Sequence, residues 1–193
     1  MKEMEEKILK EGKVFPGNIL KVGNFLNHRL DTDFLMEVGK EIARLFEGEK
    51  IDKIVTIETS GVAVAFAAAA HLHVPVVYAK KHRSSNLSSD VYTAVVYSFT
   101  HNRDYTVYIS KEFLSEGERI LIVDDFLAMG NALNGLMDII AQANATTVGI
   151  ATAIEKGFQG GGDKLRAKGI RVESMAIIDS MTDETIVFRA NDH

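Results

Sequence analysis

Residues 119–132 read Arg-Ile-Leu-Ile-Val-Asp-Asp-Phe-Leu-Ala-Met-Gly-Asn-Ala. Four apolar residues, Ile120 to Val123, form a short β-branched run of the kind that lies inside a parallel sheet. Two carboxylates follow, then a loop of small residues, then an apolar segment from Ala132 to Asn144 that reads as a helix. In an open parallel sheet, ligands bind beyond the carboxyl ends of the strands. Asp124 and Asp125 stand at such an end. The loop Ala128-Met129-Gly130-Asn131-Ala132 opens the next helix, where free backbone N–H groups and the helix dipole attract an anion. Small residues let a phosphate touch the backbone. A phosphate alone has no use for neighbouring acids, but a phosphorylated sugar does: the loop holds the phosphate, and the carboxylates hold ribose hydroxyls or a hydrated metal. An Asp-Asp pair by itself would read as two solvated acids ending a strand, so the combination carries the inference.

The same rhythm extends to both sides. Residues 3–11 read as a short charged helix, and Pro16-Gly17-Asn18 as a turn before the apolar stretch Ile19 to Val22. Asp31 to Phe46 has Leu35, Val38, Ile42 and Leu45 at helical spacing, with Asp31 or Thr32 as its cap. Lys53 to Ile57 is a strand, alanine-rich Val62 to Leu72 a helix, and Val74 to Tyr78 a strand. Thr147 to Ile154 and Val172 to Ile178 are further strands, separated by a helical turn at Lys164–Lys168. Apolar strands alternating with helices predict a doubly wound α/β fold with a buried parallel sheet flanked by helices. The polar excursion His82 to Tyr105 breaks the pattern. It holds a β-like piece, Tyr92 to Phe99, and reads either as a functional lid or as a hairpin on the sheet edge.

Bulk composition limits the alternatives. The 193 residues suit one domain spanning 1–193, with 46% apolar and 25% charged residues. A net charge of −5 argues against a nucleic-acid partner. There is no cysteine, which removes disulfides, thiolate metal sites and a cysteine nucleophile. The charged start MKEMEEKILKEGK lacks a secretory h-region, and the longest apolar run, Gly61 to Ala70, is too short to span a bilayer. A cytoplasmic protein with no membrane partner is expected.

The segment VDDFLAMGNA (123–132) resembles the phosphoribosyl pyrophosphate (PRPP) motif of the type I phosphoribosyltransferases. FLNHRLD (25–31), VTIETSG (55–61), PVVYAKKH (75–82), VYSFT (96–100) and IEKGFQ (154–159) resemble bacterial members that act on xanthine. The resemblance implies a Rossmann-like type I fold. It carries a long flexible loop and a small base-binding hood, built from about residues 1–30 and the C-terminal strands. It also implies a homodimer, Mg2+ bound as the PRPP complex, and the purine-salvage reaction PRPP + xanthine → XMP + pyrophosphate. It puts Ala128, Met129, Gly130, Asn131 and Ala132 on the 5′-phosphate. Asp124 and Asp125 fall on the ribose hydroxyls, the first also supporting positive charge at the anomeric carbon. Leu20, Asn27 and Lys156 match xanthine contacts, and Phe158 can stack on the base. Ser60 and Gly61, in the loop Glu58-Thr59-Ser60-Gly61, match the pyrophosphate site, and Lys81 falls near the leaving group. Ser98-Phe99-Thr100 falls in the closing loop.

Each of these residues also has a plain reading. Ser60 could simply cap a helix. Lys80, Lys81 and Arg83 could be a solvated basic run, Lys156 a surface lysine, and Phe99 an edge-strand packing residue. Glu58 is out of place beside a pyrophosphate unless a magnesium ion intervenes. Gly160-Gly161-Gly162 is a weak signal, and a nicotinamide fold lacks its Gly-x-Gly-x-x-Gly after the first strand. His28, His71, His73, His82, His101 and His193 show no metal-ligand spacing; His71 and His73 read as helix-end residues. Two other activities stay open: a different base, guanine or hypoxanthine, and a PRPP-sensing regulator. The regulator lacks room for a DNA-binding module in the first thirty residues.

Overall fold

The computed structural model describes residues 1–81, 90–98, 103–182 and 185–190. Its elements in chain order are α1 (Lys2–Glu11), β1 (Lys13–Phe15), β2 (Ile19–Lys21), α2 (Thr32–Leu45), β3 (Lys53–Ile57), α3 (Gly61–Leu72), β4 (Val76–Ala79), β5 (Val91–Ser98), β6 (Arg103–Ser110), β7 (Arg119–Leu127), α4 (Asn131–Gln142), β8 (Thr146–Lys156), α5 (Gly161–Ala167), β9 (Val172–Met181) and β10 (Ile186–Phe188).

Six strands form the central sheet in the order β4-β3-β7-β8-β9-β10. The first five are parallel, and β10 returns antiparallel on β9. The expected α/β architecture is therefore present. The chain winds from β3 outward to β4, then crosses back to β7 and winds the other way, so the switch in direction falls between β3 and β7. That is where the carboxyl ends of an open sheet leave a crevice. The ladder between β3 and β7 stops at Val55 opposite Ile122, whereas β7 stays paired with β8 as far as Leu127 opposite Glu155. Asp124 and Asp125 thus lie within the strand, on a stretch that overhangs β3.

The sheet separates two apolar clusters. One packs α1, α2 and α3 against Ile54, Leu121, Val123 and Ala151; the other packs α4 and the β5–β6 ribbon against Val55, Ile122 and Ile150. Helix α2 starts as its spacing predicts, with the Asp31 carboxylate accepting from the Phe34 N–H at 3.3 Å. Its buried face is Leu35, Val38, Gly39 and Ile42. Gly39 is small because a Cβ there would meet the Ala68 nitrogen at 2.7 Å, so the alanine-rich α3 crosses α2 almost backbone to backbone. At the N-terminus, Met4 and Ile8 of α1 are fully buried, and the Met1 ammonium donates to the Met175 carbonyl at 2.7 Å.

The polar excursion takes the hairpin form that was one of its two readings. Its β-like piece is β5, and a second strand, β6, runs on to Ser110; the two form a separate antiparallel ribbon from Val91 opposite Ser110 to Ser98 opposite Arg103. The ribbon packs on α4, where a Cβ on Gly135 would strike Val96 Cγ2 at 2.6 Å, and among the described residues a single bridge, Lys80 to Tyr108, joins it to the end of β4. His82, Arg83, Phe99, Thr100, His101 and His193 lie outside the described residues. No helix among the described residues is long and apolar enough to cross a membrane.

Candidate active site

Asp124 is 5% exposed, and its Oδ1 accepts the Asp125 N–H at 3.0 Å. Burial holds its carboxyl well above the usual carboxylate range, and the neighbouring charge of Asp125 pushes the same way. The Lys81 ammonium opposes both. Burial also raises Asp125, against hydrogen bonds from the Asn27 amide and from Asp124. Two carboxyl groups in one half-dry crevice cannot both hold a charge cheaply, so the pair retains a proton to higher pH than a solvated acid. The chemical remedy is positive charge or hydroxyl donors brought by a ligand.

Two loops flank the pair. After β7, Gly130 takes φ +85°, a left-handed conformation that glycine adopts without strain, and α4 begins at the next residue. The Gly130 carbonyl accepts both the N–H and the Nδ2 of Asn134, at 2.9 and 2.8 Å. Asn131 Nδ2 reaches across to the Tyr97 carbonyl of the ribbon at 3.2 Å. The first turn of α4 keeps its N–H groups free for an anion. The expected phosphate loop, Ala128 to Ala132, is therefore a glycine turn at a helix start beside the acids.

The second loop follows β3. Gly61 opens α3 directly against Asp124: the space a Cβ would take is held by Asp124 Oδ1 and Thr56 Oγ1. Ser60 precedes the helix but makes no capping hydrogen bond, so it does not act as the helix cap its sequence position also allowed. The Glu58–Thr59 peptide is cis. Glu58 turns out to be occupied: its Oε1 accepts the Lys81 N–H at 2.6 Å. This fastens the loop to the end of β4. The Lys81 ammonium lies 5.5 Å from the centre of the Tyr105 ring, and Tyr105 itself feels the Asp124 charge.

Of the residues matched to the base, Asn27 and Lys156 lie beside Asp125 and Phe126. Asn27 ends a single wide π-helical turn, Gly23–Asn27, and bonds Asp125. Lys156, at the end of β8, donates to the Asn18 carbonyl at 3.0 Å and lies 5.8 Å from the Phe126 ring centre. Partial burial lowers its ammonium pKa. Phe158 and Phe126 pack against the same apolar cluster. Leu20 is 7% exposed and its Cδ1 lies against the backbone of Gly12, so it belongs to the core of the N-terminal lobe.

Reading the sequence missed four participants. From sequence, Phe126 reads as part of the loop after the acids and Tyr105 as the end of the polar excursion, and neither stands out as a site residue. Thr56 is fully buried, with no hydrogen-bond partner among the described residues, and reads from sequence as a strand residue like its neighbours. The Gly160-Gly161-Gly162 triplet, discounted as a signal, abuts the phosphate loop: the Gly161 N–H donates to the Ala128 carbonyl at 3.2 Å. A run of glycines beside a predicted phosphate loop was the available clue. His71 hydrogen-bonds the Met36 carbonyl near a helix end, as its position suggested.

Beyond the second loop lies an apolar groove of about 790 Å³, lined by Leu26, Leu30, Met36, Ala63, Phe66 and Tyr78 among others. Phe66 is 66% exposed there.

A glycine turn at one helix start, a second loop at the switch point and buried acids between them match the arrangement expected of a site for a phosphorylated sugar. The chain belongs to the phosphoribosyltransferase family, whose phosphoribosyl transferase domain matches residues 28–179. It is 56% identical to xanthine phosphoribosyltransferase 1 of Clostridium perfringens, over 98% of this chain and 100% of that one. Xanthine phosphoribosyltransferases of Alkaliphilus metalliredigens and Clostridioides difficile are 53% and 52% identical, over 98% of this chain and 94% and 100% of theirs. Among solved structures, adenine phosphoribosyltransferase of Rhodothermus marinus shares the fold with a TM-score of 0.74 at 21% identity, covering 92% of this chain and 100% of that one. The type I phosphoribosyltransferase fold is thereby established.

Proposed function

We propose that this protein transfers the phosphoribosyl group of PRPP to xanthine in purine salvage, giving XMP and pyrophosphate. The observation that carries the reading is the buried Asp124–Asp125 pair, set between two loops at the β3/β7 switch point and below a half-buried lysine. The N–H groups of Ala128 to Ala132 hold the 5′-phosphate. Asp124 and Asp125 accept from the ribose hydroxyls, and their charge stabilises the cationic anomeric carbon as the bond to pyrophosphate breaks. Lys81, Ser60 and Gly61 receive the departing pyrophosphate. The base nitrogen attacks from the hood side, held in line by its contacts there. Lys156 donates to the 6-oxo group and Phe158 stacks on the ring. Asn27 has two amide donors; with one on Asp125, the other can meet the 2-oxo group.

Magnesium suits this site only as a passenger on PRPP. Among the described residues no group of three His, Cys, Asp or Glu could hold a metal. Oxygens of PRPP would hold it beside the Asp124–Asp125 pair, and it would supply charge neutralisation of the pyrophosphate.

We read residues 1–193 as one domain, with a hood from about residues 1–30 and the C-terminal strands. The net charge of −5 fits small-molecule substrates in the cytoplasm better than a nucleic-acid partner. The groove around Phe66, Leu30 and Met36 is an apolar patch of the kind that a second copy covers, which supports a homodimer. Sedimentation of wild type and Phe66→Asp tests this: a dimer that the substitution dissociates supports it, and a monomeric wild type rejects it. The activity is tested by incubating protein, PRPP and Mg2+ with xanthine, guanine, hypoxanthine or adenine. Nucleotide forms fastest with xanthine. PRPP binding without turnover of any base would point to a regulator instead.

A further inference from the structure

Glu155 is a fully buried carboxylate with no part in the chemistry above, one residue before Lys156. Its Oε1 and Oε2 accept from the two terminal nitrogens of Arg166 at 2.9 and 2.7 Å, and Ser174 Oγ donates to Oε2 at 2.6 Å. Thr152 and Ser174 share a further hydrogen bond at 3.1 Å. A bidentate guanidinium and a hydroxyl satisfy the buried charge from two sides. Arg166 stands on α5, and the start of α5 rests on the phosphate loop. Gly161 donates to the Ala128 carbonyl, and a Cβ on it would meet the Met129 carbonyl carbon at 2.6 Å and the Gly130 nitrogen at 2.9 Å. Gly162 leaves room for the ion pair itself, since its Cβ would fall 2.8 Å from the Arg166 guanidinium. In the sheet, Glu155 pairs in register with Leu127, the residue before Ala128.

The chain of charges continues to the C-terminal strand. Asp163 of α5 binds Arg189 at 2.8 Å, and Arg189 binds Asp179 at 2.8 Å. The Arg189 guanidinium lies 3.0 Å from where a Cβ on Gly157 would stand. The turn Lys156-Gly157-Phe158 is therefore anchored at its start by Glu155 and packed closely at Gly157 by Arg189. Both holds converge on α5.

We propose that Arg166 is a positioning residue that locks the base-binding end of the site to its phosphate-binding end. Through Glu155 it sets the strand end that carries Lys156. Through α5 and Gly161 it sets the Ala128 carbonyl, and with it the phosphate loop. A bidentate fork fixes direction as well as distance, which an ammonium does not. The inference rests on the proposed phosphoribosyl transfer to xanthine.

The test is steady-state kinetics at 20 °C on wild type, Arg166→Lys, Arg166→Met and the double variant Glu155→Gln/Arg166→Gln, alongside melting temperatures. The double variant leaves no unpaired buried charge, so it recovers folding stability that Arg166→Met loses. Small misplacements of binding groups weaken reactions steeply, so KM for both PRPP and xanthine should rise about tenfold in Arg166→Met. The rise should persist in the double variant even where its melting temperature is restored, with kcat changed far less than KM, and Arg166→Lys should fall between. A merely structural pair would let the double variant recover both KM values with its stability, and that result overturns the proposal. A rise in one KM without the other also overturns it. Wild type that makes no XMP sinks the functional reading first, and the lock between its two ends with it. Active wild type with unaltered variants sinks only the lock.

Discussion

Replacing Gly161 by alanine puts a methyl group into the backbone of the phosphate loop. The new Cβ would stand 2.6 Å from the Met129 carbonyl carbon and 2.9 Å from the Gly130 nitrogen. Both atoms are main chain, so no side chain can rotate away. Real contacts of this kind need more than 3.0 Å, and ordinary packing needs 3.4 Å, so loop and helix must separate by roughly half an ångström or more. A donor aimed at a phosphate oxygen at about 2.9 Å then approaches the limit of a useful hydrogen bond. Hydrogen bonds to charged groups contribute about 1.5–3 kcal/mol each, and about 1.4 kcal/mol is a factor of ten. Weakening one or two raises the KM for PRPP about ten- to a hundredfold. Overpacking costs about 1–3 kcal/mol of stability, or roughly 2–4 °C of Tm per kcal/mol for a chain of this size. The measurement is initial rate against PRPP at saturating xanthine, with a thermal melt of each protein. A PRPP KM within about twofold of wild type in a folded Gly161→Ala protein would refute the argument, because the loop would then not be where phosphate binds.

Asp124→Asn and Asp125→Asn should each lower turnover by at least about a hundredfold, since each removes charge facing the anomeric centre; near wild-type rates in both would remove the ribose assignment. Asp124→Asn should also melt higher than wild type near neutral pH. The raised folded pKa means that the native state binds this proton more tightly than the unfolded chain, so wild-type stability falls as pH rises from the ordinary value of 3.8 through the folded value. The gain must therefore shrink as pH is lowered toward 3.8, and a gain that grows on acidification contradicts the burial argument. Gly61→Ala would overlap Asp124 Oδ1 and Thr56 Oγ1, so kcat should fall more than PRPP affinity; unchanged kcat would place the acid away from the reacting centre. Gly130→Val combines a β-branched side chain with φ +85° and should weaken PRPP binding by calorimetry while xanthine binding changes less. Asn27→Asp should move the kcat/KM ratio of xanthine to guanine toward guanine, because a carboxylate accepts from a 2-amino group and repels a 2-oxo group. Beside Asp125 the same carboxylate should also raise the KM for PRPP. A ratio that does not move rejects Asn27 as the base reader.

The elements that were legible in the sequence are those whose structure is set by their own residues. β7 and the start of α4 are an apolar run, two acids and a glycine turn, and each part has a local cause. The α2 boundaries followed from one cap and one apolar stripe. What was hidden depends on partners far along the chain. β6 reads Arg-Asp-Tyr-Thr-Val-Tyr-Ile-Ser, with a polar start that masks its alternation. It becomes a strand because Val107 and Ile109 bury against α4 and β5. The three-residue strands β1 and β2 are too short for any period to show. Of the site, the acids and both loops were legible because they sit in one segment each. Tyr105 beside Asp124, Phe126 under Lys156 and the buried Thr56 became visible only when β3, β6, β7 and β8 were brought together. The glycine triplet was undervalued because its reason lies thirty residues earlier, in the loop it touches.

The β5–β6 ribbon closes its own hydrogen-bond ladder and, among the described residues, meets the main sheet through one bridge. Residues can therefore be added or removed at its tip without breaking a rung of the six-stranded sheet, at the small entropic cost of a longer loop. Selection can then lengthen or shorten this arm beyond its last rung while the contacts of its body, such as Asn131 to the Tyr97 carbonyl, are kept. In evolutionary terms the tip of the ribbon is a tunable insert on a fixed catalytic chassis. Exchanges beyond its last rung should leave the fold intact, whereas the body of the ribbon, with Val107 and Ile109 buried against α4, is part of the core.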